Sequence, residues 1–294
     1  MRIISYGDSF TVGLGTDIKY EQSLLGKHPR WEQMSATEKN IQRKLAGAYR
    51  FKNNFTAFLS KKLKVENLNE GSIGCNNYYI LDKIVSDFTG GIFDKKDLVL
   101  VNFTSSLRNY PTFFPHFFSS RPHQGIDGIT FGETEFEAEH RFDTTTSGDI
   151  KQLVERRSKG RATPIYEFIQ EYKLHFIKST FNFKYIDYIN QNIIIFLQQF
   201  FKTFEINYIM FDAFDSMFNN QQYDFSRFIN QETYWGFGEK TIWSFLSEFN
   251  DDTLLEYTED KVIERKLHPS KKGHELFANE LYKKYKELYG KPLI

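Results

Sequence analysis

The chain is poor in the features that would sort it at once. It has one cysteine, Cys75, in 294 residues, so no intramolecular disulfide framework holds it together. Lys and Arg total 38 against 38 Asp and Glu, a formal net charge of +0. A balanced chain lacks the electrostatic footprint of a general nucleic-acid binder. Long apolar runs are missing too: the greasiest stretch, IIIFLQQFF at 193–201, is too short and too polar to span a bilayer. The opening MRII reads as a charged strand, not a signal peptide, so a reducing cytoplasmic location is expected. Carriage inside a virus particle is compatible with the same features. No internal repeat is visible. His116, His123 and His140 have no ligand-like spacing, so no metal site is inferred.

What the chain has in quantity is aromatic rings, 31 Phe and 17 Tyr, within an ordinary 40% hydrophobic and 26% charged composition. Large rings fill cores first, and they also line substrate grooves and assembly surfaces. Residues 2–6 read as a strand and 7–17 as a glycine-bearing loop. The stretch from about 18 to 48 is polar and irregular, ending in the charged helical run SATEKNIQRKLAGAYR. A helix is expected at about 53–62, a short strand in VENLN, and a helix in YYILDKIVSDF that stops at Gly90-Gly91. The run DLVLVNF at 97–103 is the clearest buried strand. Strand, helix, strand, helix, strand at this spacing points to an α/β fold with a parallel sheet.

Residues 108–162 break that rhythm with Pro111, Pro115, Pro122 and the polar run DTTTSGD, and read as a large insertion. A long helical section at about 164–204 leads to a buried strand, INYIMFDAF at 206–214, followed by a loop-rich aromatic segment with short helices. The closing segment HPSKKGHELFANELYKKYKELYG reads as a helix with Ser270 as its N-cap and Gly290 just past its end.

Three short stretches carry chemistry. Gly7-Asp8-Ser9 ends the first strand, Asn69-Glu70-Gly71-Ser72-Ile73-Gly74 ends the second, and His268-Pro269-Ser270 precedes the last helix. In a parallel sheet the carboxyl ends of the strands form one rim, where ligands collect. A serine hydroxyl becomes a useful nucleophile when a histidine takes its proton. A turn serine, a turn glycine and a helix-entry histidine are the bland alternatives for the same residues. The G-x-S-x-G elbow of α/β-hydrolases is absent, since Thr11 stands where its second glycine would be.

In this order the stretches GDSFTVGLG, NEGSIG and HPSKKGH resemble the sequence blocks of the SGNH (GDSL) hydrolase family. The resemblance covers about 1–17, 50–107, 205–214 and 262–289. It implies one three-layer α/β/α sandwich over 1–294, flavodoxin-like, carrying the insertion. It implies an esterase or deacylase acting on an ester or O-acyl substrate, such as an acetylated sugar, through a Ser9–His268 acyl-enzyme, with no metal or organic cofactor. By the same resemblance the oxyanion hole is drawn from the Ser9 and Gly74 amides and a third-block asparagine. Asn102 is the nearest asparagine to that block, with Thr104, Ser105 or Ser106 as other occupants of its position. The family's aspartate, three residues before the histidine, is Arg265 here, which leaves Glu264 and then Asp260 as the nearest acids. These departures support a rival reading, an inactive member serving as a binding or assembly module. An acyltransferase is the third. Cys75 reads as a small buried residue, and His274 as part of the last helix.

Overall fold

The computed structural model describes residues 1–13, 16, 34–72, 75–104, 183–214, 216, 218, 225–249, 253–259 and 262–290. The insertion expected at 108–162 lies outside the described residues, as do Gly74, Ser105 and Ser106.

Four parallel strands form the sheet: β1 (Ile3–Tyr6), β2 (Asn67–Asn69), β3 (Leu98–Phe103) and β4 (Asn207–Asp212). Their order is β2-β1-β3-β4, the flavodoxin-like arrangement, whose direction reverses between β1 and β3. Register sets Tyr6 beside Val101 and Phe103 beside Asp212. Each strand of the β1–β3–β4 core divides its side chains between two faces. Ile4, Tyr6, Val99, Val101, Tyr208 and Met210 join one apolar cluster, and Ile3, Leu98, Leu100, Ile209 and Phe211 join the other. Both faces are covered, which is why these strands read as continuous apolar runs without alternation.

The first face packs on α4 (Asn77–Thr89) and α5 (Phe183–Thr203), through Ile80, Ile84, Ile194 and Leu197. The second packs on α3 (Phe55–Leu63), α6 (Ile242–Ser247) and α7 (Lys271–Tyr289), through Phe55, Leu59, Leu246 and Phe277. The result is a three-layer α/β/α sandwich. The helix starts carry polar caps. Ser35 and Glu38 make a capping box for α2 (Ala36–Asn53), and Asn54, Asn76 and Ser270 cap α3, α4 and α7. No helix among the described residues is long and apolar enough to cross a membrane.

Two local expectations change. Residues read as loop after the first strand include a one-turn helix, α1 (Ser9–Val12), capped by Asp8. The segment before the last helix contains an antiparallel hairpin of β5 (Leu254–Glu259) and β6 (Val262–Pro269), separate from the main sheet. Its register is interrupted between Leu255 and Glu256 and between Tyr257 and Thr258. Such irregularities blur the period-two pattern by which a strand is read from sequence.

Candidate active site

The site begins at the carboxyl end of β1, beside the point where strand order reverses. Gly7 has φ +154, and a Cβ there would stand 2.2 Å from Thr11 Oγ1 and 2.7 Å from Asn102 Cβ. Only glycine lets the chain leave β1 along this path. Asp8 follows as the N-cap of α1, its Oδ1 accepting the Phe10 N–H at 3.0 Å. Ser9 is therefore the first helical residue, buried to 3% exposure, with its amide among those a helix start leaves without an intrahelical acceptor.

The loop after β2 is fastened along this turn. Glu70 N–H donates to Ser5 O at 2.8 Å and Ser72 N–H to Gly7 O at 2.8 Å. Asn69 Nδ2 donates to Thr11 O at 2.6 Å while its Oδ1 accepts Gly71 N–H at 3.0 Å. Cys75, fully buried, sets its Sγ 3.4 Å from Gly7 O. Lys83 bridges Glu70 at 3.1 Å and Asp87 at 2.7 Å, and Asp87 accepts the Tyr6 hydroxyl at 3.0 Å. Burial, and then the Asp87 carboxylate, push the Tyr6 phenol far above its ordinary pKa.

His268 comes from the other end of the chain. It is the penultimate residue of β6, paired with Leu255, and Ser270 caps the helix that follows. Its Nε2 lies 3.0 Å from Ser9 Oγ. Its ring stands 5.6 Å from that of Phe10, which packs at 4.4 Å on Phe214. Residues 259 positions apart thus meet at hydrogen-bond distance. His274 is placed elsewhere, buried in α7 with its ring stacked on Phe55.

Asn102 takes a role other than the one expected. It is fully buried, and its Nδ2 donates to Asp8 Oδ1 at 3.1 Å and to Thr11 Oγ1 at 3.0 Å. Both amide hydrogens are spent on the turn beneath the serine, which leaves no donor for an oxyanion. Thr104 Oγ1 also donates to Asp8, on Oδ2, at 2.8 Å. Neither contact was legible in the sequence; the available signal was polar residues within and just beyond an otherwise apolar strand.

The backbone of Glu264 lies in β6, four residues before His268, while its side chain and Asp260 lie outside the described residues. Among the described residues no group of three or more His, Cys, Asp or Glu is arranged to hold a metal ion.

No family model and no curated protein matches the chain. Solved structures do. One is a lipolytic protein of the G-D-S-L family from Desulfitobacterium hafniense DCB-2, with 11% identity, 96% of this chain and 98% of that chain covered, and a TM-score of 0.31. A G-D-S-L family lipolytic protein from Veillonella parvula DSM 2008 has 12% identity, 99% coverage of both chains and a TM-score of 0.34. A carbohydrate esterase, described as having divergent catalytic and non-catalytic binding functions, has 12% identity and a TM-score of 0.35. The match covers 98% of this chain and 65% of that esterase. At these identities and scores the likenesses assign no residue a role.

Proposed function

We propose that the protein is a serine ester hydrolase in which Ser9 and His268 act as a nucleophile–base pair. The observation that carries the reading is the 3.0 Å approach of Ser9 Oγ to His268 Nε2 at the carboxyl rim of a parallel sheet. With the ring proton on Nδ1, Nε2 accepts the Ser9 proton as Oγ attacks the ester carbonyl. The ring then returns that proton to the departing alcohol, leaving an acyl group on Ser9. Water, activated by the same nitrogen, releases the acid. The developing oxyanion is assigned to the Ser9 N–H and, through the NEGSIG resemblance, to the Gly74 N–H. The substrate class is an ester or O-acyl compound, with an O-acetylated carbohydrate as the leading member. Capture of the acyl group by another alcohol would make the protein an acyltransferase, read directly as a new ester product.

A fluorophosphonate probe tests the pair, because only an activated serine reacts. The expected result is one adduct, on Ser9, found by mass spectrometry of the labelled peptide. A label on Ser72, Ser105 or Ser106, or none, overturns the reading. One observation favours a catalytically inactive binding module: the Asn102 amide is occupied by Asp8 and Thr11. An unlabelled but folded protein would support that alternative.

A further inference from the structure

The polar groups beneath Ser9 continue as a buried chain into the helical layer. Asp8 Oδ1 accepts from Phe10 N–H and Asn102 Nδ2, at 3.0 and 3.1 Å. Its other oxygen accepts from the Thr104 hydroxyl at 2.8 Å, the shortest of the three. Thr104 in turn is gripped on both sides of its backbone by one side chain. Its N–H donates to Asn77 Oδ1 at 3.0 Å, and its carbonyl accepts from Asn77 Nδ2 at 3.3 Å. Asn77, the first residue of α4, also donates from Nδ2 to Asn190 Oδ1 on α5 at 2.8 Å. Asp8 and Thr104 have no exposed surface, and Asn77 and Asn190 are 3% and 5% exposed.

We propose that Thr104, locked by Asn77, is a positioning residue for the nucleophile: its hydroxyl fixes the Asp8 carboxyl that holds the Ser9 turn. The inference rests on the reading of Ser9 as nucleophile. The terminal torsion of an aspartate is broad and roughly two-fold, so one hydrogen-bonded oxygen does not fix the plane of the carboxyl group. Donors on both oxygens do. With the plane fixed, Oδ1 stays aligned on Phe10 N–H, and the peptide between Asp8 and Phe10, which carries Ser9, is held in one place. A nucleophile displaced by about 1 Å loses rate on the order of 10²-fold.

The test compares Thr104→Val, which keeps the shape but removes the donor, with Thr104→Ser, which keeps the donor. Fluorophosphonate labelling of Ser9 should slow about 10–100-fold in the valine variant. The serine variant should recover most of that rate. Thermal melting on the same samples shows whether the valine variant still unfolds cooperatively. If it does not, Thr104→Ala replaces it with the same expectation. Labelling at the wild-type rate in a folded Val or Ala variant, or no recovery in the serine variant, overturns the assignment.

A wild-type protein that does not label defeats the nucleophile reading, and the placement of Ser9 is then read by NMR. The His268 Cε1–H resonance in Thr104→Val should move toward its position in Ser9→Ala. An unmoved resonance would show that Thr104 does not hold Ser9 against the ring.

Discussion

The two halves of the candidate site are built in contrasting ways. Ser9 sits on a one-turn helix whose cap, Asp8, accepts from Phe10, Asn102 and Thr104, and whose entry at Gly7 receives Ser72 N–H. The serine arm is thus welded to β1, β3 and the β2 loop together. His268 sits on a hairpin outside the main sheet, joined to the core where Leu254 is buried and where Ser270 N–H donates to Thr253 O at 2.8 Å. A parallel sheet supplies a rigid rim through its close-packed strands, whereas a two-stranded ribbon depends on the surface it leans on. Ser9 is fixed by the core, and His268 is delivered to it.

Removing either end of the pair should have the largest effect. Ser9→Ala and His268→Ala should each lower ester hydrolysis by about 10³-fold or more, measured on a nitrophenyl ester. Wild-type hydrolysis should decline on acidification as the ring takes up a proton, and His268→Ala should lose that limb. A rate unchanged in His268→Ala would leave the histidine arm structural and break the comparison.

Matched glycine substitutions probe how firmly each arm is held. Gly7→Ala drives a Cβ against Thr11 and Asn102 at a φ that L-residues avoid. It should cost about 3 kcal/mol or more in urea unfolding and abolish turnover. Gly273→Ala puts a Cβ 2.2 Å from Thr253 O, the carbonyl that anchors the hairpin. The cost in stability should be about 1–3 kcal/mol, with turnover falling further than stability because the histidine arm is displaced. Equal stability costs would show that the two arms are equally rigid.

A control lies at the opposite end of the sheet. Arg2 Nη2 stands 2.7 Å from Asp97 Oδ2, and Arg2 N–H donates to Asp97 Oδ1 at 2.8 Å. Burial by itself would raise the Asp97 pKa, but hydrogen bonds from Arg2 and from Asp94 N–H outweigh it and hold the carboxyl below its ordinary value. A depressed folded-state pKa means stability that is complete above the ordinary aspartate value of about 3.9. It is lost as pH falls through the lower, folded value. Arg2→Gln should flatten this acid limb in pH-dependent melting, by about 1 kcal/mol or less because Arg2 is partly exposed. Turnover should not change.

Much of this architecture is dictated by short-range rules. LVLVNF reads as a strand buried on both faces, because the run is short, rich in valine and leucine, and continuous apolar side chains need cover above and below. Ser270 and Gly290 mark the ends of the last helix through cap chemistry that needs no distant partner. Ser9, His268 and Gly74 stood out by residue type and order along the chain, and the structure brings the first two together. The 3.0 Å contact itself was not legible, nor was the histidine's position on a bulged hairpin. Asn102 shows the reason most plainly. In sequence it is an asparagine near a strand end, suited to stabilising an oxyanion. Sheet register places it next to Asp8 and Thr11, where a buried amide must spend its hydrogens on the nearest acceptors. Caps and apolar runs are satisfied by their neighbours in the chain, so sequence determines them. A buried polar side chain is satisfied by whatever the packed strands set beside it, and only the tertiary structure decides that.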